Sequence, residues 1–301
     1  MNHLQKTLVI GNDDTALQVA RHLAAAGAAV ITIDGRPEIP GSTPDPLRST
    51  GTPEIEALPA ARLERCEGFA GAFQVVLSAN GQKMRYDVGS IVVAEAARRL
   101  ANHTALGLQA SSSVQSLSDF RRRLADVPVP QSADLDGRTV VFLNGLVQES
   151  TPVIAEEIMQ TALELQNLPG MRTYVLTANL KVAGEGLEAL YHKAKEAGVL
   201  FIKFGATRPQ IDQTEDGRVT IIFTDEASGL AMRLHSDVTV VDETIVPSEE
   251  LQRLSRILDL DTDAAGFLQT ENVHRWPVLT NRRGILAAGP ARAVMLPKTK
   301  L

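Results

Sequence analysis

Six residues near the start of the chain, Gly11-Asn12-Asp13-Asp14-Thr15-Ala16, stand between a short apolar run and an alanine-rich stretch. A turn written G-x-G-x-x-G at such a place holds a pyrophosphate. Its first glycine makes the tight turn, its second lets phosphate approach the backbone, and the helix that follows offers N–H groups and a positive dipole end. Here Gly11 keeps the first position, while Asp13, with Asp14 beside it, fills the second. Carboxylates at a helix N-terminus help the helix by about 0.3–1 kcal/mol each. Against a pyrophosphate they repel, by roughly 4 kcal/mol per charge pair at 4 Å and an effective dielectric of 20. Asp13 or Asp14 is therefore expected to cap the helix, occupying the donors a phosphate would need. Asp34 ends the next apolar run, where such folds place an acid on a ribose hydroxyl. An aspartate at a strand end is equally a turn residue.

The other reactive side chains are sparse. Cys66 is the single cysteine, so the chain can form no internal disulfide and cannot ligate an iron–sulfur cluster, which takes about four thiolates. Cys66 precedes a hairpin and reads as a small buried residue rather than a redox thiol. The six histidines are scattered, none paired with a second ligand at zinc spacing, so no metal site is expected. Ser111–Ser113 lack the context of a nucleophile elbow, and Arg121–Arg123 read as a solvated helix face. No residue is assigned a catalytic role.

These residues hang on a legible frame. "KTLVIG" reads as a strand, "TALQVARHLAAAG" as a helix ending at Gly27, and "AVITID" as a second strand. That succession is a βαβ unit. A Pro/Gly/Ser-rich loop follows, and then a β-rich segment whose Asn80-Gly81 pair marks a hairpin. Residues 105–136 read as a connection. A second α/β block begins at "RTVVFLNG", with a helix capped by Thr151 and Pro152 in its first turn. "RVTIIFTD" and "LHSDVTVVDE" read as antiparallel strands, and "PSEELQRLSRILDL" as a helix with Ser248 or Pro247 near its start.

Composition bounds the partners. The 301 residues suffice for two domains or one large one, with 44% hydrophobic and 22% charged residues, as in ordinary globular proteins. A net charge of −6 argues against nucleic acid, and 4% aromatic content against base-stacking platforms. No run approaches the ~20 apolar residues of a membrane span and no secretory leader pattern is visible, so a cytoplasmic location is expected.

Four stretches carry a resemblance: the "LVIG" turn with "IDGRPEIPG"; the hairpin "EGFAGAFQVVL"; "TYVLTANLKVAGEGLEALYHKAKEAGVLFIKFGATRPQI"; and the tract from "VTVVDETIVPSEELQRL" to "TNRRGILAAGPARA". Their order and motifs resemble the heterodisulfide reductase A family, which includes two members of the quinone-interacting membrane-bound oxidoreductase complex. The resemblance implies an α/β flavoprotein architecture of the thioredoxin-reductase type: a Rossmann-like FAD domain with a second Rossmann-like domain inserted in it. On this reading residues 1–110 plus 245–301 form the FAD-type domain, 111–136 a linker, and 137–244 the inserted domain.

The resemblance also says where FAD would touch. Gly11, Asp34, Gly41 and Gly289 are the cofactor-binding residues if FAD is retained. Against retention, Pro40 replaces one glycine after the second strand. Glu95 and Asp242 stand where the two interdomain turns of the family carry small residues, and Pro290 follows Gly289 where an acid is usual. The expectation is a cofactor-poor relative with no iron–sulfur cluster, in a structural or docking role toward the protein partners of an electron-transfer complex. The alternative is an FAD-binding electron-transfer subunit of such a complex.

Overall fold

The computed structural model describes residues 6–11, 13–34, 55–126, 137–205, 207–272 and 276–292. Asn12, Arg36, Pro40, Gly41, Pro128, Pro130 and His274 lie outside the described residues. The chain divides into two compact units, residues 1–98 with 246–301 and residues 99–245.

In the first unit, β1 (Thr7–Ile10), α1 (Asp14–Ala25) and β2 (Val30–Ile33) form the expected βαβ unit. They are followed by β3 (Ile55–Leu58) and the antiparallel strands β4 (Arg62–Phe69), β5 (Ala72–Ala79) and β6 (Gln82–Val88). Asn80 and Gly81 form the two-residue turn between β5 and β6, so the hairpin falls where its turn residues placed it. After β7 (Ser90–Val93) the chain enters the second unit at β8 (Arg98–Ala101), from Arg99 on.

The second unit comprises β9 (Val114–Ser116), α2 (Leu117–Asp126), β10 (Thr139–Asn144), α3 (Pro152–Gln166), β11 (Arg172–Thr177), α4 (Leu187–Glu196) and β12 (Leu200–Lys203). It continues with β13 (Gln210–Gln213), β14 (Val219–Thr224), β15 (Ala231–Ser236), β16 (Val238–Val241) and β17 (Glu243–Val246). The chain then returns to the first unit with α5 (Glu249–Leu258) and β18 (Ile285–Ala287).

Each unit is built on a parallel five-stranded sheet. The first has the order β18-β7-β1-β2-β3, and the second β12-β11-β10-β16-β9. β1, β2, β10 and β16 are buried along their whole length, and β7 from its second residue on, as expected of parallel strands covered on both faces. In the first unit Ala16, Ala20 and Ala24 of α1 pack on Val9, Val30 and Val92. In the second, Ile154, Ile158, Ala162 and Leu165 of α3 pack on Val140, Phe142, Val175 and Val240. Both helices present apolar residues every three or four positions, and that periodicity is what docks them.

Two expectations are corrected. "LHSDVTVVDE" is not one antiparallel strand: it breaks at Asp237 into β15, antiparallel to β14, and β16, parallel to β10. Asp237 accepts the backbone N–H of Thr139 at 2.9 Å and ends the first run. The four-residue run after it is fully buried, which suits a central parallel strand. Residues 111–126, expected to link, instead form β9 and α2, with Leu117 and Phe120 fully buried. Among the described residues no helix is long and apolar enough to cross a membrane.

Candidate functional site

In an open parallel α/β sheet, ligands are taken at the carboxyl ends of the strands. Both sheets can be read there, each on its own.

In the first unit Gly11 follows β1 with φ +147°, and a Cβ on it would lie 2.1 Å from the carbonyl oxygen of Ala94, which follows β7. The backbone here bridges both neighbours: Gly11 donates to Ile33 O at 2.9 Å, and Ala94 donates to Ile10 O at 2.7 Å. Gly11 is thus required by the approach of two adjacent strand ends, with or without a ligand. Asp13 is the N-cap of α1, and its Oδ1 accepts the N–H of Ala16 at 3.0 Å. The carboxylate of this chain occupies a donor that a glycine in its place would leave open to phosphate.

The remaining described positions are engaged in the same way. Asp34 Oδ1 accepts the N–H of Ala60 at 2.9 Å, tying the end of β2 to the turn after β3. Gly289 follows β18 with φ +56°, and a Cβ there would lie 2.6 Å from Cγ2 of Thr15. Gly289 therefore sits hard against the first turn of α1. Glu95 is buried two residues past β7 and accepts from Ser248 Oγ at 3.3 Å, while Ser248 Oγ itself caps α5 by accepting from Leu251 N at 3.0 Å.

In the second unit the turn after β10 carries Gly145, whose N–H donates to Asp242 Oδ2 at 2.6 Å. Asp242 follows the neighbouring strand β16, is 3% exposed, and also accepts from Asn102 Nδ2 at 2.9 Å. Burial pushes its carboxyl up; the bonds from Asn102 and Gly145 pull the other way, and the adjacent Glu243 adds to the rise. Glu243 in turn accepts from Ser118 and Arg99, and Arg99 and Arg121 both pair with Glu157. Of the helix face expected to be solvated, Arg121 pairs with Glu157 of α3, while Arg122 stays exposed and pairs with Asp119 of its own helix.

Two features were not visible in sequence. The partner of Gly289 is Thr15, and no spacing rule joins residues so far apart in the chain. Arg292, just past Gly289, has a buried Nε without a partner among the described residues, and burial lowers its pKa. Burial likewise pushes the Cys66 thiol up, with Arg282 opposing, so Cys66 stays protonated and poorly nucleophilic. Among the described residues no three His, Cys, Asp or Glu side chains are placed to hold a metal ion.

The fold is that of the two-domain thioredoxin-reductase-like flavoproteins. The crystal structure of T. acidophilum thioredoxin reductase superposes with a TM-score of 0.59 at 11% identity, covering 97% of this chain and 92% of that one. In sequence the chain resembles the heterodisulfide reductase A family. It is 29% identical over 129 residues to the iron–sulfur A protein of the CoB–CoM heterodisulfide reductase of Methanopyrus kandleri, across 42% of this chain and 19% of that protein. It is 26% identical over 128 residues to the corresponding protein of Methanocaldococcus jannaschii, again across 42% of this chain and 19% of the relative. The match thus spans about a fifth of the length of these curated relatives. No protein-family model matches the chain.

Proposed function

We propose that this chain is a cytoplasmic subunit of a multi-protein oxidoreductase that keeps the flavoprotein fold without holding FAD or an iron–sulfur cluster of its own. Its task is structural: it docks redox proteins of the kind its relatives' names describe.

One observation carries the reading. At the turn where FAD's pyrophosphate would rest, the Asp13 carboxylate already accepts the helix N–H of Ala16. A phosphate brought to that donor would meet a fixed negative charge, at a cost on the order of 4 kcal/mol for one pair at an effective dielectric of 20. The inserted unit repeats the arrangement with Asp242 on Gly145. The glycines that remain, Gly11 and Gly289, are each demanded by packing against Ala94 and Thr15. Their retention therefore does not argue for a ligand. The residues at the turn do not suit a pyrophosphate.

The second reading, an FAD-binding electron-transfer subunit using Gly11, Asp34, Gly41 and Gly289, is favoured by one feature. Thr15 Oγ1 and Arg292 Nε are both buried without a partner among the described residues. Buried polar groups normally find one. The deciding experiment is the visible spectrum of the purified protein with a fluorimetric FAD assay of its acid extract. We expect no absorbance near the flavin bands and FAD far below one per chain. One FAD per chain would overturn the proposal and establish the second reading.

A further inference from the structure

We propose that the tip of the β4–β5 hairpin, with the turn at Arg282-Arg283, is the face that docks an acidic segment of a partner protein. The inference rests on the chain's being part of a larger assembly, and it names the surface with the chemistry that surface selects.

The tip is "GFAG", residues 68–71, and it presents Phe69 at 72% exposure. Leaving a phenylalanine in water forgoes roughly 1.5–3 kcal/mol of burial. A single exposed apolar residue is ordinary by itself. This one lines an open, shallow cleft of about 330 Å³ together with Gly68, Ala70, Phe73, Arg282 and Arg283.

The cleft is pre-organised. Arg282 donates to Leu258 O at 2.8 Å and to Gly68 O at 3.3 Å, and its guanidinium lies over the Phe73 ring at 5.8 Å. Gly284 is packed so closely that a Cβ on it would fall 2.7 Å from the Ala70 Cβ. Hairpin tip and arginine turn are thus one rigid piece, so little ordering entropy is lost when a partner binds.

Charge selects the occupant. The lining carries two guanidinium groups and no carboxylate, in a chain whose net charge is −6. Clefts elsewhere on the first unit's β4–β6 sheet and on the second unit's β13–β15 sheet mix both signs: Arg65 and Arg85 with Glu67 and Asp87, and Arg218 with Asp216 and Asp237. Arg283 is exposed and has no ion-pair partner among the described residues. An arginine beside an exposed aromatic on a rigid scaffold is the composition of interface hot spots. The complement is a segment carrying Asp or Glu around an apolar side chain.

The test replaces Phe69 with the photocrosslinker p-benzoylphenylalanine in the full-length chain, expressed in its native cells, with the same probe at Met232 as control. Irradiation is followed by mass-spectrometric mapping of the joined peptide. The expected result is an adduct from position 69 with an acidic segment of a different protein, strongly reduced by Arg283→Glu and absent from position 232. No adduct, an adduct with a second copy of this chain or with a neutral or basic segment, or one unchanged by Arg283→Glu overturns the proposal. Native mass measurement of the assembly separates the two levels. An assembled chain without a Phe69 adduct refutes this face alone, whereas a chain that assembles with no other protein refutes the larger reading on which it rests.

Discussion

The Asp242 carboxylate and the backbone N–H of Gly145 meet at 2.6 Å, at the carboxyl ends of the adjacent strands β16 and β10. An acid from one strand end fills the donor at the next, within a single unit. The arrangement makes Asp242 a structural acid whose protonation matters to stability.

Asp242 accepts two donors, the Asn102 amide and the Gly145 N–H. An asparagine can satisfy only one of them. Asp242→Asn should cost about 1–3 kcal/mol, the penalty of one buried donor left facing another. Burial raises the folded-state pKa of Asp242 above its ordinary 3.8. The folded state then holds more protons than the unfolded state between the two values. Stability from this group is full below the unfolded value and is lost as pH rises through the folded one. In urea melts across that range, the stability of wild type relative to Asp242→Asn should fall as pH rises. A wild-type advantage that grew with pH would contradict the assignment.

Much of the frame was legible because the signals are local. Thr151 and Ser248 cap α3 and α5, and Asn80-Gly81 turns the hairpin, since each needs only its own few residues. A cap by Asp13 or Asp14 was legible for the same reason, and the structure gives it to Asp13. β16 was misread because a four-residue buried run looks alike in parallel and antiparallel company, and only the distant β10 decides. The pairing of Gly289 with Thr15, and of Glu95 with Ser248, joins residues far apart in sequence with no periodic signature. Gly41 lies outside the described residues.

Gly11 tests whether the phosphate turn persists for packing alone. A Cβ there would be forced 2.1 Å from the Ala94 carbonyl oxygen, at a φ of +147°. Neither strand end can retreat without breaking ladder bonds. Gly11→Ala should therefore destabilise flavin-free protein by about 2–4 kcal/mol, combining backbone strain with overpacking. Chemical denaturation measures it. An unchanged midpoint would mean that the glycine serves something other than the strand contact.

Asp13 separates helix capping from ligand repulsion. Asp13→Ala removes the cap on Ala16 and should cost about 1 kcal/mol, whereas Asp13→Gly should cost only a few tenths. The glycine variant also removes the charge at the turn. If charge is what excludes a dinucleotide, titration with FAD should show at least roughly tenfold tighter binding to Asp13→Gly than to wild type, since relief of even about 1.4 kcal/mol is worth that much. Equal, negligible binding by both would place the obstacle elsewhere in the turn.

Glu250 fastens α5 to β4 in the first unit. It accepts from Arg62 at 2.7 Å and from Arg253 at 3.0 Å, and Arg253 also donates to Leu63 O at 2.7 Å. Burial pushes the Glu250 carboxyl up, but the hydrogen bonds and charges of Arg253 and Arg62 outweigh it and hold the value below the ordinary 4.5. Here the sign is opposite to that of Asp242. The unfolded state holds more protons between the two values, so the stabilisation is present above 4.5 and is lost as pH falls through the folded value. Glu250→Gln should cost about 1–3 kcal/mol at neutral pH, because two arginines lose a charged acceptor. The gap between wild type and variant should close on acidification. Thermal melts at neutral and acid pH check both statements, and a gap that widened in acid would show that Glu250 does not fasten the helix through its charge.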